Sequence, residues 1–175
     1  DLLSQAEHGP DSQVLLVGCS QLSVDVIQME IEKQLAQLPR KGIATKALLH
    51  SKIILMETEE EAMELLNTYA PEHLILNCAN AEAMAEKVIN AGSVFIGPYS
   101  CESAGDYASG TNHTLPTNGF AKAYSGVSMD SFVKKITFQK LSEDGLNNIG
   151  KHVEIMAEAE GLKAHAEAVR KRMRS

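Results

Sequence analysis

Along the first hundred residues, short continuous runs of apolar residues alternate with segments in which apolar residues recur every three or four positions. Four short apolar runs predict β-strands, at residues 13–18, 52–56, 73–77 and 93–96. Segments with apolar residues every three or four positions predict amphipathic helices, at about 24–38, 58–69 and 80–91. Strands that alternate with helices of this length pair in parallel through right-handed crossovers. The pattern therefore predicts an α/β layer with a parallel sheet and flanking helices.

The last third of the chain has a different pattern. One strand-like piece at 136–139 precedes two helical segments, at about 143–160 and 162–174. These segments predict a separate helical unit, with the boundary between Ser125 and Ser128. At the other end of the chain, residues 1–8 are predicted to be the end of a helix that stops at Gly9 and Pro10.

Composition narrows the class of protein. The chain has 175 residues, 44% of them hydrophobic, which is enough for one domain with a sizeable core. A net charge of −7 argues against nucleic acid or an anionic membrane as a partner, and the basic residues 170–174 are typical of a helix end. Three cysteines without a CxxC pair favour a reducing, cytoplasmic location. No apolar run is long enough to span a bilayer. The start at Asp1, within a predicted helix, indicates a processed or truncated product.

A glycine-rich segment near the middle is the strongest candidate for a functional site. Residues 105–119, here called the glycine loop, contain three glycines together with Asp106 and His113. Glycine permits backbone conformations that other residues avoid, so such a loop can hold polar side chains in fixed directions. An alternative for Asp106 is that it only caps a short helix beginning at Tyr107.

Other polar residues have both a functional and a structural interpretation. His8 lies three residues after Gln5, so the two could share a metal on one helix face or simply mark a surface helix end. Glu72 and His73 could act together as general bases in catalysis. Alternatively, Glu72 could be a solvated acid beside a strand-edge histidine. They precede their strand, whereas ligands of open α/β sheets usually lie beyond the carboxyl ends of strands.

Two ionisable residues flank Gly161 in the helical unit. Glu160 and His165 continue apolar helix stripes and are therefore predicted to be buried, facing inward and in need of partners. The sequence has no GxGxxG, GxxxxGK[ST] or GxSxG motif, so no nucleotide cradle or nucleophile elbow can be argued. From the residues alone, the chain is an α/β protein with a His/Asp/Glu site whose reaction is open.

Five segments resemble histidinol dehydrogenase, in order and over essentially the whole chain. They are LLSQAEHGPDS at 2–12, APEHL at 70–74, AGSVF at 91–95, SAGDYASGTNHTLPT at 103–117 and EGLKAH at 160–165. The resemblance implies an enzyme of histidine biosynthesis that oxidises L-histidinol to L-histidine in two NAD-dependent steps through an aldehyde, with one Zn²⁺ per active site.

The resemblance also implies roles for individual residues. The expected zinc ligands are Gln5, His8, Asp106 and His165. His73 would remove protons, and Glu72 would activate water in the second oxidation. The residues expected to line the histidinol site are the four ligands together with His73, His113 and Glu160.

The resemblance further implies a homodimer in which the carboxy-terminal unit completes the partner's site. Residues 1–127 would form part of a Rossmann-like α/β catalytic domain, and residues 128–175 a helical dimer-exchange unit. The family's chains are longer, and most NAD contacts lie in the portion absent here. No residue of this chain is therefore assigned to NAD, and the chain alone is expected not to turn over. The alternatives are a non-catalytic zinc-binding and dimerisation module, or a zinc hydrolase.

Overall fold

A computed structural model describes residues 1–19 and 22–173. It divides the chain into two compact units, Asp1–Phe132 and Val133–Ser175, each considered separately below. Arg174, the last cation of the predicted basic tail, lies outside the described residues. The helices in the described ranges all fall short of the length and apolar content that a membrane span requires.

The first unit contains the alternating strands and helices that the apolar pattern predicts. Its strands are β1 (Leu15–Cys19), β2 (Lys52–Met56), β3 (His73–Leu76) and β4 (Ser93–Ile96). Its α-helices are α1 (Leu2–Ala6), α2 (Val24–Leu35), α3 (Lys41–Leu48), α4 (Glu59–Tyr69), α5 (Ala81–Ala85) and α6 (Glu102–Tyr107). Two short 3₁₀ turns follow, at Phe120–Lys122 and Met129–Ser131.

The strands pair in parallel. β1 pairs with β2 from Leu15↔Lys52 onwards, and β3 pairs with β4 from His73↔Ser93 onwards. Among the described residues these are two separate two-stranded sheets rather than one continuous sheet. The predicted α/β class, with parallel strands, flanking helices and a carboxy-terminal helical unit, is confirmed.

The β3–β4 sheet has an apolar face and a face that carries His73. Successive strand residues point to opposite sides, so Leu74 and Leu76 share one face and His73 lies on the other. Leu74 and Leu76 belong to a buried cluster with Met63 of α4 and with residues of α5. On the His73 face, the rings of His73 and Phe95 have centroids 5.9 Å apart.

Helix α4 begins where the sequence predicts and ends at Tyr69, which leaves two residues before the Glu72–His73 pair. Thr58 Oγ1 accepts a hydrogen bond from Glu61 N at 3.2 Å, and Thr58 N donates to Glu61 Oε2 at 3.1 Å, a complete capping box. Ala70 then adopts a left-handed conformation, with φ of 55°. This turn leads the chain from α4 through Pro71 into β3.

Two predicted elements are wrong in extent or kind. The helix predicted at 80–91 ends at Ala85, because Asn67 Oδ1 accepts hydrogen bonds from the Ile89 and Asn90 backbone amides and replaces helical bonds there. The strand predicted at 136–139 is absent: these residues are exposed and have no strand partner among the described residues. A single extended segment without a neighbour cannot form a ladder of hydrogen bonds.

The second unit is a helical hairpin of α7 (Glu143–Ala159) and α8 (Lys163–Met173). Gly161 forms the turn with φ of 76°, a conformation that favours glycine. The two helices approach closely at Gly150, where an added Cβ would collide with the Met173 sulfur. Arg170 of α8 forms ion pairs with Glu154 and Glu158 of α7, at 2.9 and 2.6 Å.

Candidate metal and active site

Helix α1 and the turn after it position Gln5 and His8. Ala6 is fully buried against Ala44 and Ala47 of α3, which anchors α1. The backbone then turns, with a hydrogen bond from His8 N to Gln5 O at 3.3 Å, and Arg40 Nη2 donates to His8 O at 3.3 Å. His8 therefore lies just beyond the helix, in a turn held on two sides.

Helix α6 carries two carboxylates on one face. Glu102 and Asp106 are four residues apart, a spacing that places both side chains on the same side of a helix. Gly105 lets α6 lie against the sheet, since an added Cβ would be 2.6 Å from Phe95 Cε1. Asp106 lies inside α6, so the alternative that it caps a helix starting at Tyr107 is wrong. The first three residues of the glycine loop are helical.

Three potential metal ligands converge between α1 and α6. Donor atoms of His8, Glu102 and Asp106 all lie within 4.8 Å of one another, and we call these three residues the donor cluster. His8 is exposed, Asp106 is partly buried and Glu102 is buried. Imidazole and carboxylate are both common zinc ligands, so the chemistry of the cluster suits a divalent cation such as zinc.

Two buried nitrogen atoms at this place have no hydrogen-bond partner. They are Gln5 Nε2 and His73 Nε2, the only such side-chain atoms among the described residues. His73 Nε2 lies 3.9 Å from Asp106 Oδ1, beyond hydrogen-bond distance. Buried polar atoms are nearly always satisfied, so two exceptions beside one donor cluster indicate a ligand site. The residues present therefore fit a bound metal and a polar substrate.

The electrostatics of Glu102 reflect its burial and its neighbour. Burial raises the pKa of the Glu102 carboxyl above its ordinary value, and the adjacent Asp106 carboxyl raises it further. Gln5 and His73 act in the opposite direction on the same pKa, although Gln5 Nε2 makes no hydrogen bond of ordinary geometry. A buried carboxyl beside a second acid is a costly arrangement in a cation-free protein.

Glu72 and His73 are held at the amino end of β3. Glu72 O accepts a hydrogen bond from Ser93 N at 2.9 Å, and Gly92 approaches so closely that an added Cβ would lie 2.5 Å from Glu72 O. After β4 the chain turns, and α6 brings Asp106 near the start of β3. The candidate site thus lies on a face of the sheet. The position of Glu72 and His73 before β3 therefore does not exclude them from the site.

His113 lines a cavity in the remainder of the glycine loop. The cavity has a volume of about 670 Å³ and is lined by Gly110, Thr111, Asn112, His113, Val127, Ser128, Met129 and Phe132. Asn112 shapes the loop, since its Oδ1 accepts from Thr114 N at 2.6 Å and its Nδ2 donates to Val127 O. His113 itself is exposed, and it is not part of the donor cluster.

Glu160 and His165 lie in the second unit, at the end of α7 and near the start of α8. The prediction that they are buried and face inward is wrong, because both are exposed. Small residues let the two helices pack closely, and the buried positions of the hairpin are Gly150, Ala157 and Ala166. The larger apolar residues near Glu160 are also exposed: Met156 is 66% and Leu162 is 42% accessible.

Glu102 is the site residue that reasoning from the sequence did not identify. Its only local signal was its position four residues before Asp106, in a segment interpreted as a loop. The helix had to be recognised before the two carboxylates could be placed together.

Comparison with known proteins supports an assignment to a family. Residues 1–173 match the family model described as histidinol dehydrogenase. The histidinol dehydrogenase of Bacteroides thetaiotaomicron is 58% identical over 173 residues, covering 99% of this chain and 40% of the relative. The chloroplastic histidinol dehydrogenase of Arabidopsis thaliana is 55% identical over 175 residues, covering 99% of this chain and 38% of the relative.

A solved structure agrees with these relatives. The crystal structure of histidinol dehydrogenase from Elizabethkingia anophelis matches with a TM-score of 0.90 and 57% identity, covering 99% of this chain and 40% of that chain. This chain thus spans about 40% of the length of such relatives. The resemblance carried by the five sequence segments is confirmed, and the chain belongs to the histidinol dehydrogenase family.

Proposed function

We propose that this chain supplies the zinc- and histidinol-binding part of a histidinol dehydrogenase. The enzyme would oxidise L-histidinol to L-histidine in two NAD-dependent steps through an aldehyde. The observation that carries the proposal is the donor cluster beside the unpartnered His73 nitrogen, in a chain that matches the family over residues 1–173.

The metal would be held by residues contributed by two chains. Gln5, His8 and Asp106 would come from one chain and His165 from the helical unit of its partner, as the family resemblance implies. When bound, zinc would anchor and orient the nitrogen donors of histidinol. Gln5 would bind the metal through its carboxamide oxygen, and its Nε2 atom, which has no hydrogen-bond partner among the described residues, would be free to donate to a polar group of the substrate.

His73 would act as the base of the first oxidation. It would take the proton of the substrate hydroxyl while the carbon loses a hydride to NAD⁺, which gives the aldehyde and NADH. Its Nε2 atom makes no hydrogen bond in the described residues, so this atom is available to accept a proton. Asp106, with Oδ1 3.9 Å from that nitrogen, would stabilise the imidazolium that forms.

Glu72 would act in the second oxidation. Its carboxylate would take a proton from the water molecule that adds to the aldehyde carbon. The resulting hydrate would transfer a hydride to a second NAD⁺, release two protons and leave as the carboxylate product. Glu72 directly precedes His73, and its carbonyl is fixed by Ser93 N, so the two groups would act from one strand end.

The remaining roles concern substrate contacts and assembly. Glu160 would hold the substrate, and His113 would line its pocket. The helical unit would reach across a cytoplasmic homodimer, which is consistent with the exposure of both Glu160 and His165. NAD would bind mainly outside these 175 residues, since the chain covers about 40% of its relatives and has no dinucleotide motif.

A titration of the purified chain tests the proposal. We expect one Zn²⁺ per chain, histidinol binding that a chelator abolishes, and no NADH formation from histidinol and NAD⁺. Failure to bind Zn²⁺ would contradict the proposal, and NADH production would contradict the assignment of NAD binding to other residues. Zinc binding that strengthens self-association, measured by size exclusion with and without chelator, but does not support histidinol binding would instead favour the zinc-binding and dimerisation module.

A further inference from the structure

Glu102 is the one buried charged residue among those that the structure describes. Its relative accessibility is 3%, although it is the first residue of α6 and glutamate is rarely buried without a partner. Among the described residues, the hydrogen bond of ordinary geometry that its carboxylate accepts is a long one, from Ser4 Oγ at 3.4 Å. Ser4 Oγ also donates to Asp1 O at 2.7 Å, a shorter and better hydrogen bond. The Glu102 carboxylate is therefore poorly satisfied by protein groups.

No permanent cation of the first unit compensates this burial. Within residues 1–19 and 22–132, neither Glu102 nor Asp106 forms an ion pair with lysine or arginine. The basic groups placed beside the two carboxylates in this part of the described chain are the imidazoles of His8 and His73, whereas the Arg40 guanidinium donates to His8 O. Two neighbouring carboxylates at low accessibility repel each other, so a bound cation would relieve this repulsion.

We propose that Glu102 belongs to the metal site, as the second carboxylate that balances the charge of the bound cation. The inference rests on the zinc-binding function proposed above and adds a residue to it. Its donor atom lies within 4.8 Å of those of His8 and Asp106. Two ligands of a tetrahedral zinc ion lie roughly 3.4 Å apart, so side-chain rotations would have to bring the three donor atoms closer together. Two carboxylates carry the charge of −2 that neutralises a divalent cation.

A purely structural role for Glu102 makes different predictions. An acid in the first turn of a helix is stabilising at the surface, as Glu82 in α5 is placed, and this role does not require burial. If Glu102 served only the fold, its replacement would destabilise the metal-free protein. If it serves the metal, its replacement removes repulsion with Asp106 in the metal-free protein and weakens binding of the cation.

The test compares Glu102→Gln with Glu82→Gln, the same chemical change at an exposed first-turn position. Zn²⁺ affinity is measured by competition with a chromophoric chelator, and thermal unfolding is followed with and without Zn²⁺. We expect Glu102→Gln to weaken Zn²⁺ binding about ten- to a hundredfold and to unfold, without metal, no earlier than the wild type. Its zinc-induced rise in Tm should shrink accordingly. Glu82→Gln should match the wild type in Zn²⁺ affinity and in the zinc-induced rise in Tm, and it should lower the metal-free Tm slightly.

The outcomes separate this inference from the proposed function. A Glu102→Gln variant with wild-type Zn²⁺ affinity would overturn the inference alone, whether or not its metal-free Tm is lower. The charge-retaining Glu102→Asp variant should bind Zn²⁺ more tightly than Glu102→Gln, and equal affinities would also overturn it. A wild type that binds no Zn²⁺ removes both proposals. A wild type that binds Zn²⁺ but no histidinol removes the proposed function and leaves the role of Glu102 to be decided by the variants.

Discussion

His73 Nε2 lies 3.9 Å from Asp106 Oδ1, although the two residues are 33 positions apart and belong to different elements. His73 opens β3, and Asp106 lies near the end of α6. The contact exists because α6 packs on the His73 face of the sheet through Gly105 and Phe95. This contact joins the proposed base, His73, to a proposed metal ligand, Asp106. Replacement of His73 should therefore impair proton transfer, whereas replacement of Asp106 should impair metal binding.

Replacement of Asp106 should weaken metal binding and spare the fold. Asp106→Asn keeps the size of the side chain but removes one of the charges in the donor cluster, so we expect Zn²⁺ affinity to fall about a hundredfold. Competition titration with a chelator measures this. Asp25→Asn, at an exposed position in the first turn of α2, is the matched control and should bind Zn²⁺ as the wild type does. Equal affinities for the two variants would contradict the assignment.

Replacement of His165 should also remove zinc, because the family resemblance makes it the ligand from the helical unit. In the assembled enzyme, His165→Ala is expected to lose bound zinc, measured by metal analysis after gel filtration. His152→Ala is the control, since His152 is another exposed histidine of the same hairpin. Stoichiometric zinc in purified His165→Ala would show that the ligand set does not include this residue.

Replacement of Glu72 should separate the two oxidations. Only the second oxidation needs water activation, so Glu72→Gln should slow aldehyde oxidation about a hundredfold and alcohol oxidation much less. Single-turnover NADH formation in the assembled enzyme, started from histidinol or from the aldehyde, measures each step. Glu64→Gln, an exposed change in α4, serves as the control. Equal slowing of both steps would argue against a water-activating role.

Gly92 should tolerate no side chain. An alanine Cβ there would lie 2.5 Å from the Glu72 carbonyl oxygen, so β4 or the Glu72–His73 pair must shift. We expect Gly92→Ala to lower the free energy of unfolding by about 1–3 kcal/mol, measured by urea denaturation. Gly42→Ala is the matched control: nothing lies within 4 Å of its added Cβ inside α3, and it should stabilise by about 0.5–1 kcal/mol.

Tyr69 should contribute to the alkaline loss of stability. Burial raises the pKa of its phenol, and its hydroxyl donates to Gln13 Oε1 at 2.8 Å. The folded state then holds the proton longer than the unfolded state, so this contribution is present below about pH 10 and lost as pH rises further. Tyr69→Phe should flatten the fall in unfolding free energy above that pH. Tyr99→Phe, at a side chain that is 96% exposed, should leave the fall unchanged.

Features encoded by neighbouring residues were predicted well. The strand at 52–56 and the start of α4 at its Thr58 capping box depend on local apolar runs and on one side chain bonding three residues away. Features that depend on distant partners were not. Asn67 shortens α5 through bonds to Ile89 and Asn90, and the strand-like segment 136–139 has no strand to pair with among the described residues. Neither the hydrogen bonds from Asn67 nor the lack of a neighbouring strand can be deduced from the sequence of the segment itself.

The sequence by itself determined the α/β class, the family resemblance and most candidate site residues, because apolar spacing and short motifs are local properties of the chain. Only the tertiary structure decided which candidates meet. It brought His8 and Asp106 together, added Glu102 and placed His73 beside them. It also showed Glu160 and His165 exposed, because small residues form the buried seam of their hairpin. The physical reason is that the meeting of α1, β3 and α6 depends on packing between segments up to about a hundred residues apart, a long-range consequence of burial that no local pattern contains.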